Sequence, residues 1–391
     1  MVRIETVETL ASVDPGDWES LARGKSLYAT WPWYRMLEGQ PGFEPRYLLA
    51  RASDGSLRAA LPAYRTLGGG NERYFPDYLF GGLLKEDLAR RGAWVPGFSG
   101  GSSAAYLTHL LTDGSDEGSD AAAALVDAFF GLADDEASAA WIFYVTPEDA
   151  RTLAGLVPED VVCLYGAADL SLSISWRSFD EYLASSSRRV RRDLATFGGS
   201  GGSIVVTTLE EAGTSLAPLL ASSLTRLVRA TSVDDAERIL LQHTALLSPW
   251  SRVFVCMSAG RPIGFALFFE FENVLYARLV GFDYANAVNG EYFALLFYAP
   301  IRDALERGIE RIHFGIGAHE PKLARRAEPR PLWCFLRHPQ INLRAHLDGA
   351  EGWNMSCADA FCERYATLLR GEARTAWLRL AHEHLDWDRL G

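Results

Sequence analysis

The segment His313–Arg326, "HFGIGAHEPKLARR", gathers an imidazole, a carboxylate, an ammonium and two guanidiniums behind a pair of glycines. His319 and Glu320 are of the types that take a proton from an attacking group, directly or through water. Their ordinary roles are an exposed loop histidine and an ion pair with Lys322 or a nearby arginine. Lys322 offers a compact positive charge to a phosphate or a developing oxyanion; the plain alternative is a surface lysine. Asp283, just after an apolar strand-like run, is a further candidate base, or simply a turn former. A second basic group is Arg188, Arg189, Arg191 and Arg192 in "SSSRRVRRDL". At about 100° per helical residue, Arg188, Arg191 and Arg192 share a face and Arg189 points elsewhere. Such a face either clamps phosphates or is merely solvated. Arg325, with Arg326 and Arg330, adds charge close to Lys322 in sequence.

These groups need elements to hold them. "SFDEYLASSSRRVRRDLATF" predicts one helix carrying the arginines, with Ser178 as its cap and Glu181 three residues on. The glycine-rich "GGSGGSIVVTTL" leads into a strand, and Glu210–Leu247 reads as two helices. "RVFVCMSAGRPIGFALFFEFENVLYARLVGFD" predicts a three-strand meander that turns at Ala259-Gly260 and Glu272-Asn273. A helix over Glu291–Arg307, stopped by Gly308, then precedes the strand "IERIHFGIG". The first half repeats this order more weakly. A helical segment capped by Asp14 and stopped near Gly39 leads to a hairpin around Asp54-Gly55, a helix at "AALVDAFF" and a buried strand at "WIFYV". The reading is an α+β fold in two tandem domains, residues 1–165 and 166–391, joined near Gly166. A helical tail is expected over Cys357–Leu385.

The totals set limits on function. With 391 residues, the chain is longer than one core usually serves. A net charge of −12 argues against broad nonspecific nucleic-acid binding and against DNA as a partner, while leaving room for a local basic stripe. Five cysteines without a C-x-x-C pair, and a start without a signal-peptide core, fit a reducing cytoplasm. No apolar run is long enough to span a membrane. The scattered histidines give no metal-ligand spacing, and there is no Walker loop.

The stretch from Gly264 to Trp333 resembles the GNAT-like domain of the Fem-type acyltransferases, in particular the bacterial FemAB-like group labelled peptidoglycan biosynthesis/recognition. Gly264, Ala304, Arg307, Gly308, Gly315, Gly317, Lys322 and Pro329 carry the resemblance, and the arginine-rich helix is similar to the one that opens the family's second domain. "LYATWPWYRMLEG" and "ALPAYR" resemble its first domain. The resemblance implies two tandem GNAT-like domains with mixed, mostly antiparallel sheets flanked by helices. It implies transfer of an acyl or aminoacyl group from an activated donor to an amine or hydroxyl of a small acceptor, with no tightly bound cofactor. Aminoacyl-tRNA is the first donor expected, acyl-CoA or an acyl carrier protein the second, and a non-catalytic binding module the alternative outside enzymes. On this reading Lys322, Glu320, Asp283 and His319 are the catalytic candidates, and Arg188, Arg191, Arg192 and Arg325 hold donor phosphates. Two features differ from relatives: "GFDYANAVNGEY" offers only Gly281 and Gly290 where acetyltransferases carry a glycine-rich CoA loop, and Glu210–Leu247 is short for a long helical hairpin.

Overall fold

The computed structural model describes residues 2–227, 230–347, 350–369 and 371–382. The chain divides into two compact units, Met1–Asp169 with Pro329–Gly391, and Leu170–Glu328. The C-terminal segment, expected with the second domain, thus groups with the first. The cause is strand pairing: Glu328–Arg337 lies antiparallel to Ala139–Val145, with Leu336 opposite Trp141. Trp333 and Phe335 share a buried core with Phe129, Phe130 and Ile142. Asn354 then bonds Tyr165 N–H at 2.6 Å and Cys163 C=O at 3.0 Å. Gly166 is no linker. It lies inside the strand Val162–Ser173, where a Cβ would meet Cys334 Sγ at 2.4 Å.

In the first unit the hairpin forms as the Asp54-Gly55 signal predicts. Tyr47–Arg51 pairs with Leu57–Leu61, and Gly55 takes φ +87° at the turn. The expected first helix is instead broken into Pro15–Ala22, a 3-10 turn Leu27–Ala29, and Trp31–Leu37, with Asp14 capping the first piece. Ser26 and Thr30, both in extended backbone, interrupt it, and Thr30 caps the second piece by accepting from Trp33 N–H. Asp116–Asp135 supplies the long amphipathic helix whose Leu125, Val126 and Phe129 enter the core. The helical tail is observed as Ala350–Arg364 and Glu372–His382; the last three residues of the predicted span lie outside the described residues.

The second unit is built on the strands Ser203–Thr207, Ser251–Ser258, Arg261–Phe271 and Val274–Phe282, antiparallel in that order, with Arg311–Ile316 added in parallel. Both predicted meander turns are present, with Ala259, Gly260, Glu272 and Asn273 all at positive φ. The predicted basic helix is two: Phe179–Ser185 and Arg188–Gly198. Ser178 caps the first by accepting from Glu181 N–H, Glu181 turns its carboxylate to Arg177 N–H, and Ser187 caps the second. The helix expected over Glu291–Arg307 opens into a π-helical stretch at Ala294–Tyr298 just before Pro300. Proline withholds the N–H that the regular ladder would use, and such widened turns recur at functional sites.

Candidate functional site

The strand Val274–Phe282 pairs with Arg311–Ile316 at only three positions, the last being Tyr276 with His313. Among the described residues no ladder pair joins the two strands beyond that point, so they part and leave a slot. Backbone groups that leave a ladder must find partners; past His313 the carbonyls of Phe314, Gly315 and Ile316 find theirs in a buried lysine. The same strand is irregular on its other side. Leu267 faces Leu279 and Phe268 faces Ala277, which leaves Arg278 as the extra residue of a β-bulge. Bulges cluster beside active sites because they re-aim a side chain.

Arg278 is aimed by a histidine. Its Nε donates to His243 Nε2 at 3.1 Å, while His243 Nδ1 bonds the carbonyl of Ile239 at 2.7 Å. The guanidinium can only donate, so Nε2 is the acceptor and Nδ1 carries the proton. His243 is buried, lies parallel to Phe269 with ring centroids 6.0 Å apart, and comes from the helix Val233–Leu247. Burial, then the Arg278 charge, lowers its pKa to about 3. The imidazole is therefore a neutral, fixed prop for the arginine. Neither residue was singled out by the sequence; the only signal was one arginine in an otherwise apolar strand.

Aromatic side chains from three elements meet beside the slot. Phe282 at the end of its strand packs on Tyr292, Tyr292 on Phe297, and Phe297 on Phe314 of the neighbouring strand, with centroids 6.0, 6.3 and 5.0 Å apart. Phe282 N–H is pinned by Ser223 Oγ at 2.9 Å.

Lys322 is buried at 7% exposure, and its Nζ donates to the carbonyls of Phe314, Gly315 and Ile316 at 2.9, 2.8 and 3.1 Å. Three consecutive carbonyls reach one ammonium because Gly315 has φ +69°, which turns the strand end inward. The lysine's work is to hold that strand end, and through it one edge of the slot. This departs from the expectation of a cation presented to a ligand: three donors already meet three acceptors.

Arg325 departs similarly from the expected phosphate binder. It is 2% exposed, donates to Asp193 at 2.9 Å, Tyr298 Oη at 3.0 Å and Pro321 C=O at 3.0 Å, and stacks 3.8 Å from the Phe293 ring centroid. It clamps the basic helix to the π-helical segment. Tyr298 Oη completes the clamp by donating to Val190 C=O at 3.0 Å. Arg191 is drawn toward the preceding helix, donating to Leu183 C=O at 3.2 Å. Arg189 pairs with Glu320 at 3.0 Å, both more than half exposed. Arg188 and Arg192 remain exposed, with no ion pair among the described residues.

His319 is half-buried on the short helix His319–Leu323, directly after the strand end that Lys322 holds. Asp283 accepts from Asn286 Nδ2 at 2.8 Å and from Ala285 N–H at 3.0 Å. Those bonds, the Asn286 side chain's foremost, hold its carboxyl below the usual range. It is a turn former and a weak base. Glu291, unremarked in the sequence, is buried, and burial raises its pKa; its carboxylate accepts from Val288 N–H at 3.2 Å. The two glycines of this loop serve packing. A Cβ on Gly281 would meet the backbone of Leu219 and Leu220 at 2.7 and 2.8 Å, and one on Gly290 the Asp193 carbonyl at 3.1 Å. A loop carrying two carboxylates and no spare glycine is a poor cradle for a pyrophosphate.

The family model described as FemAB-like, peptidoglycan biosynthesis/recognition, matches residues 9–349. Similar solved structures include the C-terminal domain of a putative lysylphosphatidylglycerol synthetase from Agrobacterium fabrum, at 14% identity and TM-score 0.53, covering 85% of this chain and 94% of that one. FemX aligns at 12% identity and TM-score 0.54, covering 88% and 98%. L-PGS from Bacillus licheniformis aligns at 12% identity and TM-score 0.52, covering 86% and 96%. At these identities the likeness is one of fold, two tandem GNAT-like α+β domains. No curated protein matches the chain significantly.

Proposed function

We propose that this chain, which belongs to the FemAB-like family of peptidoglycan biosynthesis and recognition, is an acyltransferase that moves an aminoacyl group from an aminoacyl-tRNA to the amine or hydroxyl of a small acceptor. The observation that carries this reading is the slot that opens past Tyr276 and His313, with Arg278 bulged from one of its strands. An acyl group lying along the parted strands would rest on the aromatic wall. The acceptor then attacks the ester carbonyl carbon directly. A C–N or C–O bond forms, the bond to the ribose oxygen breaks, and that oxygen takes up a proton. Alignment supplies much of the rate, and no protein nucleophile is required. Arg278, held by neutral His243, contributes positive charge on the strand itself. His319 is the base candidate that keeps its place, and Lys322 and Arg325 act as positioning residues.

The donor preference rests on the loop after the strand. Gly281 and Gly290 are filled by neighbouring backbone, and Asp283 and Glu291 bring negative charge. Both features count against a CoA pyrophosphate there. Arg188 and Arg192 instead offer an exposed basic face to the phosphates of an RNA acceptor end. The double variant Arg188→Ala/Arg192→Ala tests this in a binding titration of charged tRNA against salt. Its log–log salt slope should be shallower by about 0.7 for each phosphate no longer neutralised; an unchanged slope removes the two arginines from donor binding.

A further inference from the structure

A separate group of reactive side chains lies in the first unit. Ser26 Oγ is 3.0 Å from His109 Nε2, and His109 Nδ1 is 3.0 Å from Asp149 Oδ2. Asp149 also accepts from Thr146 Oγ1 at 2.9 Å and from Lys25 Nζ at 3.2 Å. Burial pushes the Asp149 carboxyl up, but the His109 hydrogen bond and the nearby positive charge outweigh it and hold the pKa below the usual range. The carboxylate is thus ionised and accepts the hydrogen bond of His109 Nδ1–H. Nε2 is left as an acceptor, so Ser26 donates its hydroxyl proton to it.

Ser26 also forgoes its usual role. It is the N-cap of the 3-10 turn Leu27–Ala29 yet makes no side-chain cap bond. Among the described residues, every other Ser or Thr at a helix N-cap does cap, as Thr30, Ser115, Thr146 and Ser187 illustrate. The hydroxyl is committed to the histidine instead. The frame around it is rigid: Trp18 Nε1 donates to Ala29 C=O at 2.9 Å, and Thr108 N–H to Tyr144 C=O at 2.8 Å next to His109. Ser26 is 3% exposed, while the Lys25 side chain beside it is 28% exposed and marks where the cluster meets solvent.

We propose that Ser26, His109 and Asp149 form a second reactive site, a serine nucleophile that takes a short acyl group from an activated ester. Ser26 Oγ would bond the ester carbonyl carbon and pass its proton to His109 Nε2. The carbon–oxygen bond to the leaving alcohol then breaks, and His109 returns the proton to that oxygen. Water, entering by the same route, would release the acid.

The test treats the full chain with a small fluorophosphonate, whose phosphorus bonds Ser26 Oγ as fluoride leaves, and follows intact mass and peptide maps. One adduct per chain on Ser26 is expected, with His109→Gln labelling at least tenfold more slowly while melting at the wild-type temperature. A release of p-nitrophenolate from p-nitrophenyl acetate, equimolar with protein, should accompany it and vanish in Ser26→Ala. No adduct under conditions that label a serine esterase, an adduct elsewhere than Ser26, or full-rate labelling of His109→Gln each overturns the proposal. Peptide mapping of the wild type keeps the test valid if a variant fails to fold.

Discussion

At the scale of single residues, the polar groups most conspicuous in sequence are the ones the fold has already spent. Lys322 and Arg325 read as ligands because they are charged and follow a Gly-x-Gly strand end. Sequence spacing cannot reveal that Gly315 turns three carbonyls toward the lysine, or that Asp193, well over a hundred residues earlier, takes the arginine. Lys322→Met should therefore cost about 2–4 kcal/mol in urea denaturation, because it leaves buried carbonyls without a donor. A loss below about 0.5 kcal/mol would mean the ammonium does not hold the strand end. His243 makes the converse case, a residue that carried no sequence signal and matters through its surroundings. With a folded pKa of about 3 against 6.5 when unperturbed, it binds fewer protons folded than unfolded between those values. Stability should rise with pH across that interval and fall as acid is added. His243→Gln keeps an acceptor for Arg278 and should flatten that part of the curve of melting temperature against pH by about one proton's slope. An unchanged curve would place the imidazole in solvent.

Elements were far more legible, since periodicity and turn chemistry act locally. The meander and both its turns follow from alternating apolar residues and from Ala-Gly and Glu-Asn pairs that accept positive φ. The Asp54-Gly55 hairpin follows in the same way. What stayed hidden were interruptions within runs that read as regular: the bulge at Arg278, the widened turn before Pro300 and the break at Ser186–Ser187. Glycines show the difference well. Gly281 looked like part of an anion loop, yet its missing side chain lets the helix Ala217–Leu227 lie against the strand. Gly281→Ala should cost about 1–3 kcal/mol by overpacking. Gly131→Ala, in the helix Asp116–Asp135 with open space around it, should instead stabilise by about 0.5–1 kcal/mol. Thermal denaturation of both reads the opposite signs directly; two shifts of the same sign would refute the packing argument.

For the whole molecule, the resemblance carried by Gly264 to Trp333 led to the right family and fold, and the family match over residues 9–349 establishes membership. The tandem α+β organisation was legible because each half repeats the order helix, hairpin, helix, strand. The grouping of Pro329–Gly391 with the first unit was not, because it depends on which strand Glu328–Arg337 pairs with. Among the described residues no helix is long and apolar enough to cross a membrane. On the proposed function, the parted strands of the second unit receive an aminoacyl group from RNA. The most direct test is to mix the purified protein with tRNA carrying a labelled amino acid and a panel of small amines, then follow the label into acid-soluble product. The expected result is transfer that RNase abolishes and that Arg278→Ala reduces at least tenfold. Transfer that survives RNase and requires an acyl thioester, or no transfer from either donor, would contradict it.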